Sequence, residues 1–441
     1  MNIERDINKH LVNWIDKKNR KPLLLQGARQ VGKTWLLKHF GKKEFKNVAY
    51  FNFEEQPELN QFFEITKNPK RILENLAIVN GSAIKPSETL IIFDEIQESN
   101  EALNSLKYFN ENAPEYHIIG SGSLLGITLS GNKSFPVGQV DFLTLYPVSF
   151  KEFLHKAEPN LYNYLDGLFE IAPIPDIFFN HLSEKLSLYF VTGGMPEAIK
   201  SILENSDMQE LQKIQQNILK AYSLDFSKHI NAHDIPKLNH IWSSIPSQLS
   251  KENKKFLYQV VKSGARAREY ENALLWLKQA GLIHIVNKIN KPSMPISFYT
   301  DLSAYKVYLI DVGLLRQMSN LHPSTIQQEN SLFTEFKGAF AENYILQSLV
   351  AQFETPIYYW TSGNKAELDF ILQYRNEIVP IEVKAKTNIK SKSLISYSNK
   401  YSPKIKIRYS LRNFNIENGT LNIPLFMSDF TERILDRVME L

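Results

Sequence analysis

Short apolar runs alternate with segments of helical period along the first 150 residues. PLLLQGA (22–28), VAYFNFE (48–54), TLIIFDE (89–95) and YHIIGSG (116–122) predict strands buried on both faces. Between them, KTWLLKHF (33–40) and NEALNSLKYFNENA (100–113) predict helices. Strands alternating with helices predict a parallel sheet covered on both sides. From about 150 to 230 the pattern turns helical, with KEFLHKA, SEKLSLYFVTGG and MQELQKIQQNILKAYSLDF. Residues 251–289 follow as helix, turn, helix and β-ribbon, the outline of a winged helix. Lys254, Lys255, Lys262, Arg266 and Arg268 make its turn basic. A compact spacer that buries Leu274, Trp276 and Leu277 fits the same pattern, since winged-helix shape alone does not specify function. After about 330 the alternation resumes. TEFKGAFAENYILQSLV (334–350) is an amphipathic helix, and IYYW, ELDFILQY and IVPIEVKA are strands.

Composition narrows the classes. The chain has 441 residues, 43% hydrophobic and 22% charged, as expected of a globular protein of about three domains. No apolar run approaches the ~18 residues of a membrane span, and MNIERDINKH is too polar for a signal peptide, so no membrane role is expected. The absence of cysteine excludes disulfides and thiolate–metal sites and makes a cytoplasmic setting the expectation. The net charge of +4 does not by itself imply nucleic acid. From Lys384 to Arg412, however, there are nine Lys/Arg and no Asp/Glu, either a solvated face or a site for a polyanion such as DNA or RNA.

Gly27, Ala28, Arg29, Gln30, Val31, Gly32, Lys33 and Thr34 fit the G-x-x-x-x-G-K-[ST] phosphate loop, after a strand and before a helix. The glycines let the backbone N–H groups face phosphates, at the positive end of the helix. Lys33 would reach the β- and γ-phosphates of ATP, and Thr34 would offer its hydroxyl to Mg²⁺. At the end of the apolar run LIIFDE, Asp94 would hold magnesium through water and Glu95 would activate the attacking water. The same pair could cap the following helix. Ser121 is a candidate γ-phosphate sensor, with Ser123 the competing choice and turn chemistry the alternative for both. No N-K-x-D motif follows, which favours ATP over GTP.

Together the phosphate loop, FDEIQ, GSGSLL, SFPVGQVDFLTLYPVSFKEF (134–153) and YFVTGGMPEAI (189–199) resemble a bacterial and archaeal AAA-type ATPase family. Its members join the ATPase module to a winged helix and a C-terminal restriction-endonuclease-like domain. KVYLIDVGLLR (306–316), FKGAFAENYILQSL (336–349), YYWTSGNKAELDFIL (358–372) and IVPIEVKAK (378–386) resemble that last part. The resemblance implies an α/β fold in four parts: a P-loop ATPase domain (1–155), a helical lid (156–230), a winged-helix-like domain (231–330) and a restriction-endonuclease-like domain (331–441). It also implies that Gly194-Met195-Pro196 lies against the nucleotide base, with Pro196 alternatively a simple helix start. Many relatives carry a basic residue in P-V-G-[RK]-V, where this chain has Gln139. An amide cannot offset phosphate charge, so any arginine finger must come from elsewhere or from a neighbouring subunit of an oligomer.

In the C-terminal hairpin, period-two alternation puts Glu382 and Lys384 on one face and Ile381 and Val383 on the other. Leu368, Phe370 and Leu372 are expected to face the core, with Asp369 opposite. A two-residue turn at Arg375-Asn376 would place Asp369 opposite Glu382, their Cβ atoms about 5 Å apart. Like charges facing each other are destabilising unless a divalent cation, Mg²⁺ or Mn²⁺, sits between them. Lys384 would then orient the attacking water, and Glu342 could add a carboxylate. A solvated hairpin neutralised by Lys384 needs no metal. The expected function is thus an ATPase whose Mg²⁺-ATP cycle controls a nuclease-like module acting on nucleic acid. The rival is an ATP-switched scaffold that binds a partner protein. A small-molecule kinase is disfavoured by Glu95 and by the large C-terminal half.

Overall fold

The computed structural model describes residues 2–123, 125–126, 138–168, 170–229, 233–327, 334–363, 366–385 and 392–440. They divide into two compact units: residues 4–146 with 276–282, and residues 1–3 and 147–275 with 283–441.

The first unit is built on five strands: β1 (Leu23–Gln26), β2 (Asn47–Asn52), β3 (Thr89–Asp94), β4 (His117–Gly122) and β5 (Asp141–Thr144). Their order is β2-β3-β4-β1-β5, with every neighbouring pair parallel. The first four stand where the apolar runs predict them. β3 and β4 are buried along their whole length, as strands covered on both faces must be. β5 escapes prediction because it is an edge strand, half exposed, and carries no apolar run. Behind the sheet, Phe51, Phe53, Phe63, Phe93 and Phe109 form one core with Leu106. The Phe63 and Phe93 rings meet edge-on at 5.7 Å. Phe93 is fully buried, so truncation to Ala should cost about 3–5 kcal/mol.

The second unit opens with helices. Ser149 and Glu152 cap Phe150–Ala157 reciprocally, and Asp176–Thr192, Pro196–Asn205, Met208–His229 and Ile235–Leu249 follow. Its sheet contains β6 (Ile283–Ile289), β7 (Thr300–Leu309), β8 (Tyr358–Thr361), β9 (Glu367–Tyr374), β10 (Glu377–Val383), β11 (Ile407–Ser410), β12 (Asn415–Glu417) and β13 (Thr420–Pro424), in the order β12-β13-β11-β10-β9-β8-β6-β7. Of the stretch 251–289 read as ending in a ribbon, Ile283–Ile289 is strand β6, and its antiparallel partner β7 lies beyond that stretch. β6 also pairs in parallel with β8, so the ribbon forms one edge of the sheet that holds the C-terminal strands.

The hairpin turns where predicted, and residue numbers sum to 751 from Tyr374–Glu377 to Phe370–Ile381. The ladder stops there, one step short of the expected Asp369–Glu382 pair. A bulge is the reason. Between β8 and β9 the register shifts, with Tyr358 opposite Ile371 but Trp360 opposite Leu368. One extra residue flips the alternation. Leu368 and Ile371 therefore join the core under the helix Lys392–Tyr401, while Phe370 packs on Tyr308. The expectation that Leu368 and Phe370 share a face is corrected by this bulge.

Candidate functional site

The phosphate loop leaves β1 and enters the helix Lys33–Glu44. Gly27 adopts a φ of +154°, and a Cβ there would lie 2.3 Å from the Leu145 carbonyl oxygen. Gly32 caps the helix in the left-handed region, at a φ of +95°. Ala28 and Val31 are buried under the loop, and Gln30 bends it with a φ of +66°. The buried Lys33 ammonium donates to the carbonyls of Gly27 and Ala28, both at 2.9 Å. Burial lowers its pKa to about 8, against the raising charges of Glu95 and Asp94 and with the lowering charge of Arg29.

β4 lies between β1 and β3, and the register sets Asp94 beside Ser121. Asp94 is 1% exposed and four neutral groups donate to it. Ser121 Oγ (2.6 Å) and the Glu95 N–H (3.3 Å) bond Oδ1, while Thr34 Oγ1 (2.7 Å) and Tyr50 Oη (2.8 Å) bond Oδ2. Burial and then the Asp94 charge raise the Tyr50 phenol above its ordinary value. Glu95, at a φ of +49°, is held by Gln97 Nε2 at 2.6 Å, with Ser123 Oγ 3.5 Å from the same oxygen. Five candidates named from sequence thus converge: Thr34, Ser121 and the Glu95 N–H bond Asp94 directly, and Ser123 stands by the Glu95 carboxylate. Ser121 is turned to Asp94. Tyr50 and Gln97 were missed; Gln97 stands in the quoted FDEIQ, but only the fold shows Tyr50. The set fits a hard cation such as Mg²⁺, because it offers oxygen donors and the groups bonding Asp94 bring no positive charge. Gln139 accepts from Asn110 Nδ2 at 2.5 Å.

Pro196 belongs to the second unit, where it opens the helix Pro196–Asn205. Just before it, the Gly194 N–H donates to Asp311 Oδ2 (2.5 Å) and its carbonyl accepts from Val148 (2.7 Å). Gln347 joins this node to the helix Thr334–Gln352, donating to Tyr189 Oη (3.0 Å) and accepting from the Val312 N–H (3.0 Å). Burial raises Asp311 to about 6, against the N–H donors of Gly194, Leu314 and Gly313.

On the same helix, Glu342 heads an acidic cluster with Glu367, Asp369 and Glu382. Each has a partner. Glu342 accepts from Lys254 and from Tyr308 Oη (3.2 Å), and Glu367 accepts from the fully buried Lys306. Lys384 lies 3.0 Å from Glu382, whose second oxygen is buried without a partner. Asp369 accepts from the Val383 N–H at 2.7 Å, so its carboxylate takes over where the bulge ends the ladder. Burial raises the Glu342 pKa, but the charges of Lys254 and Lys306 outweigh it and hold the group low. Burial and the Glu342 charge push Asp369 up to about 7, against Lys306, Lys254 and Lys384. Lys254, read from sequence as part of a basic turn, points into this cluster. Among the described residues no group of three or more His, Cys, Asp or Glu is placed to hold a metal ion. Three of the four carboxylates are held in lysine pairs, Lys254–Glu342, Lys306–Glu367 and Lys384–Glu382, and the fourth, Asp369, is held by a backbone N–H.

The basic run is also partly neutralised. Lys384, Lys404, Arg408 and Arg412 pair with Glu382, Glu377 and, for both arginines, Glu417. Lys386 and Lys390 lie outside the described residues. No helix among the described residues is long and apolar enough to cross a membrane.

Residues 19–154 match the AAA domain family. Residues 183–325 and 337–426 match two domains of unknown function, DUF8612 and DUF4143. No curated protein matches the chain. Among solved structures, the Walker-type ATPase PABY2304 of Pyrococcus abyssi aligns at 14% identity and a TM-score of 0.44, over 72% of this chain and 96% of that one. The Orc1 protein of Aeropyrum pernix, solved in complex with DNA, aligns at 12% identity and 0.30, over 71% and 90%. A RuvB variant of Thermotoga maritima aligns at 14% and 0.31, over 63% and 88%. The phosphate loop, the acidic end of β3 and the family match agree, and residues 19–154 are an AAA-type P-loop ATPase domain.

Proposed function

We propose that the protein binds and hydrolyses Mg²⁺-ATP and couples its nucleotide state to a C-terminal restriction-endonuclease-like module that engages DNA or RNA. The observation that carries the ATPase reading is the convergence of Thr34, Ser121 and the Glu95 N–H on Asp94. Lys33 would move its ammonium from the loop carbonyls to the phosphates. Thr34 and Asp94 would hold the magnesium, which when bound offsets phosphate charge. Glu95 would take the proton of the attacking water. Coupling is supported within the second unit by Asp311, which accepts from the Gly194 N–H, and by its chain neighbour Val312, which donates to Gln347 on the helix that carries Glu342.

A second reading, a protein-interaction scaffold with a silent nuclease-like module, is favoured by the lysines that already bind Glu342, Glu367 and Glu382. One experiment separates the two: incubate the protein with Mg²⁺ or Mn²⁺ and single- and double-stranded DNA and RNA, with and without ATP. Cleavage or ATP-dependent binding supports the nucleic-acid reading. ATP hydrolysis with neither supports the scaffold, and no hydrolysis sinks both. Replacing Lys386, Lys390 and Lys392 with Ala should flatten the salt dependence of duplex binding by a log–log slope of roughly 0.9 per lost phosphate contact.

A further inference from the structure

Tyr50 stands outside both nucleotide motifs, yet its hydroxyl reaches Asp94. β2 and β3 pair with Asn52 opposite Asp94 and Tyr50 opposite Ile92. Tyr50 and Asn52, two apart on a strand, share one face. Asn52 Oδ1 accepts from the backbone N–H groups of Glu54 (2.9 Å) and Glu55 (3.1 Å). Only the oxygen of an amide accepts, so these two bonds fix which way the side chain points. Its Nδ2 then donates to Tyr50 Oη at 3.3 Å. The phenol is left with its single hydrogen, and that hydrogen goes to Asp94 Oδ2 at 2.8 Å. The Lys38 ammonium lies 3.4 Å from the Tyr50 ring centroid and braces the ring.

We propose that Tyr50 is a positioning residue for the metal of bound Mg²⁺-ATP, oriented by Asn52 and acting through Asp94. The proposal rests on the ATPase reading of the site. Tyr50 shares Oδ2 with Thr34, the hydroxyl assigned to magnesium, while Ser121 holds Oδ1. With both oxygens tethered, the carboxylate is fixed in direction. Because the tethers are neutral, its charge stays available to a cation.

The test uses the full chain and a fluorescent ATP analogue titrated in chelator and across a range of Mg²⁺ concentrations, beside hydrolysis rates. Y50F keeps the ring against Lys38 and removes only the hydroxyl. It should bind the analogue in chelator as the wild type does, yet need about tenfold more Mg²⁺ for half-maximal tightening, the size of one hydrogen bond to a charged group. Its kcat at saturating Mg²⁺ should fall by less than about threefold, since Asp94 remains. K38M, which keeps the hydroxyl, should need the same Mg²⁺ as wild type. A wild-type Mg²⁺ requirement in Y50F overturns the proposal, as does an equal loss of affinity with and without Mg²⁺, which marks a merely structural brace. If the wild type binds the analogue but never hydrolyses ATP, the ATPase reading fails, and the binding titration still decides the role of Tyr50.

Discussion

Asp94 and Glu342 are both buried carboxylates, but the groups that hold them differ in charge. Asp94 is held by three hydroxyls and an N–H, all neutral. Glu342 is held by Lys254, with Lys306 close enough to hold its pKa down. Neutral donors fix a carboxylate without cancelling its charge, so the Asp94 site stays attractive to a cation. Lysines offset the charge, which weakens the pull of such a carboxylate on a further cation. Acidic residues in a motif therefore predict a metal site only when their partners are known.

The largest expected effect is chemical and confined to the first site. Lys33→Ala should remove most nucleotide affinity. Glu95→Gln should bind ATP normally and lose about 10²–10⁴-fold in turnover, because an amide cannot accept the water's proton. Wild-type hydrolysis by Glu95→Gln would remove Glu95 as the base.

Next is the stability contrast. Glu342→Gln leaves Lys254 and Lys306 short of a buried counter-charge and should cost about 3–5 kcal/mol. Asp94→Asn should melt close to wild type but lose its thermal response to Mg²⁺-ATP. Denaturant melts of both variants test the contrast; a mild Glu342→Gln and a severe Asp94→Asn would reverse it. Adding Mn²⁺ to wild type and Glu382→Ala tests the metal alternative, since a shift in wild type alone would restore the cage.

A smaller effect follows from Lys33. Its folded pKa of about 8 lies below the ordinary lysine value. The unfolded chain then holds more protons between about pH 8 and 10.4, so this group makes folding stability rise with pH across that window. Nucleotide binding moves the other way. ATP favours the ammonium, so affinity should be flat below pH 7 and fall about tenfold by pH 9. Titrations at several pH values check this, with Lys33→Met as the reference. An equally steep fall in Lys33→Met would assign the dependence to another group.

The smallest expected change sharpens the second region. Lys254→Met with Glu342→Leu removes both members of the Lys254–Glu342 pair but still leaves Lys306 to Glu367 alone and Tyr308 Oη without its acceptor, so it should be about 1–2 kcal/mol less destabilising than Glu342→Gln. A double variant as unstable as the single one would show that packing, not charge, dominates there.

The first site was largely legible because its residues are contiguous or end an apolar strand. Glycines at Gly27 and Gly32, Lys33-Thr34 and Asp94-Glu95 need only the strand–loop–helix context to acquire meaning. Tyr50 was illegible, since β2 comes beside β3 through sheet order and no spacing connects Tyr50 to Asp94. In the C-terminal hairpin the turn at Arg375-Asn376 and the register to Phe370–Ile381 could be read, because alternation and turn length set them. The bulge at Asp369 could not, because it arises from the mismatch with β8, eleven to thirteen residues back from Ile371.

Local chemistry in the sequence determined the phosphate loop, the buried strands and the acidic candidates, since period, glycine placement and apolar runs act over a few residues. The tertiary structure alone decided their partners. It brought Lys254 across 88 residues to Glu342 and Lys306 across 61 to Glu367, and it set Ser121 against Asp94 across 27. Electrostatic environment depends on distance in space, and burial fixes how strongly each charge is felt.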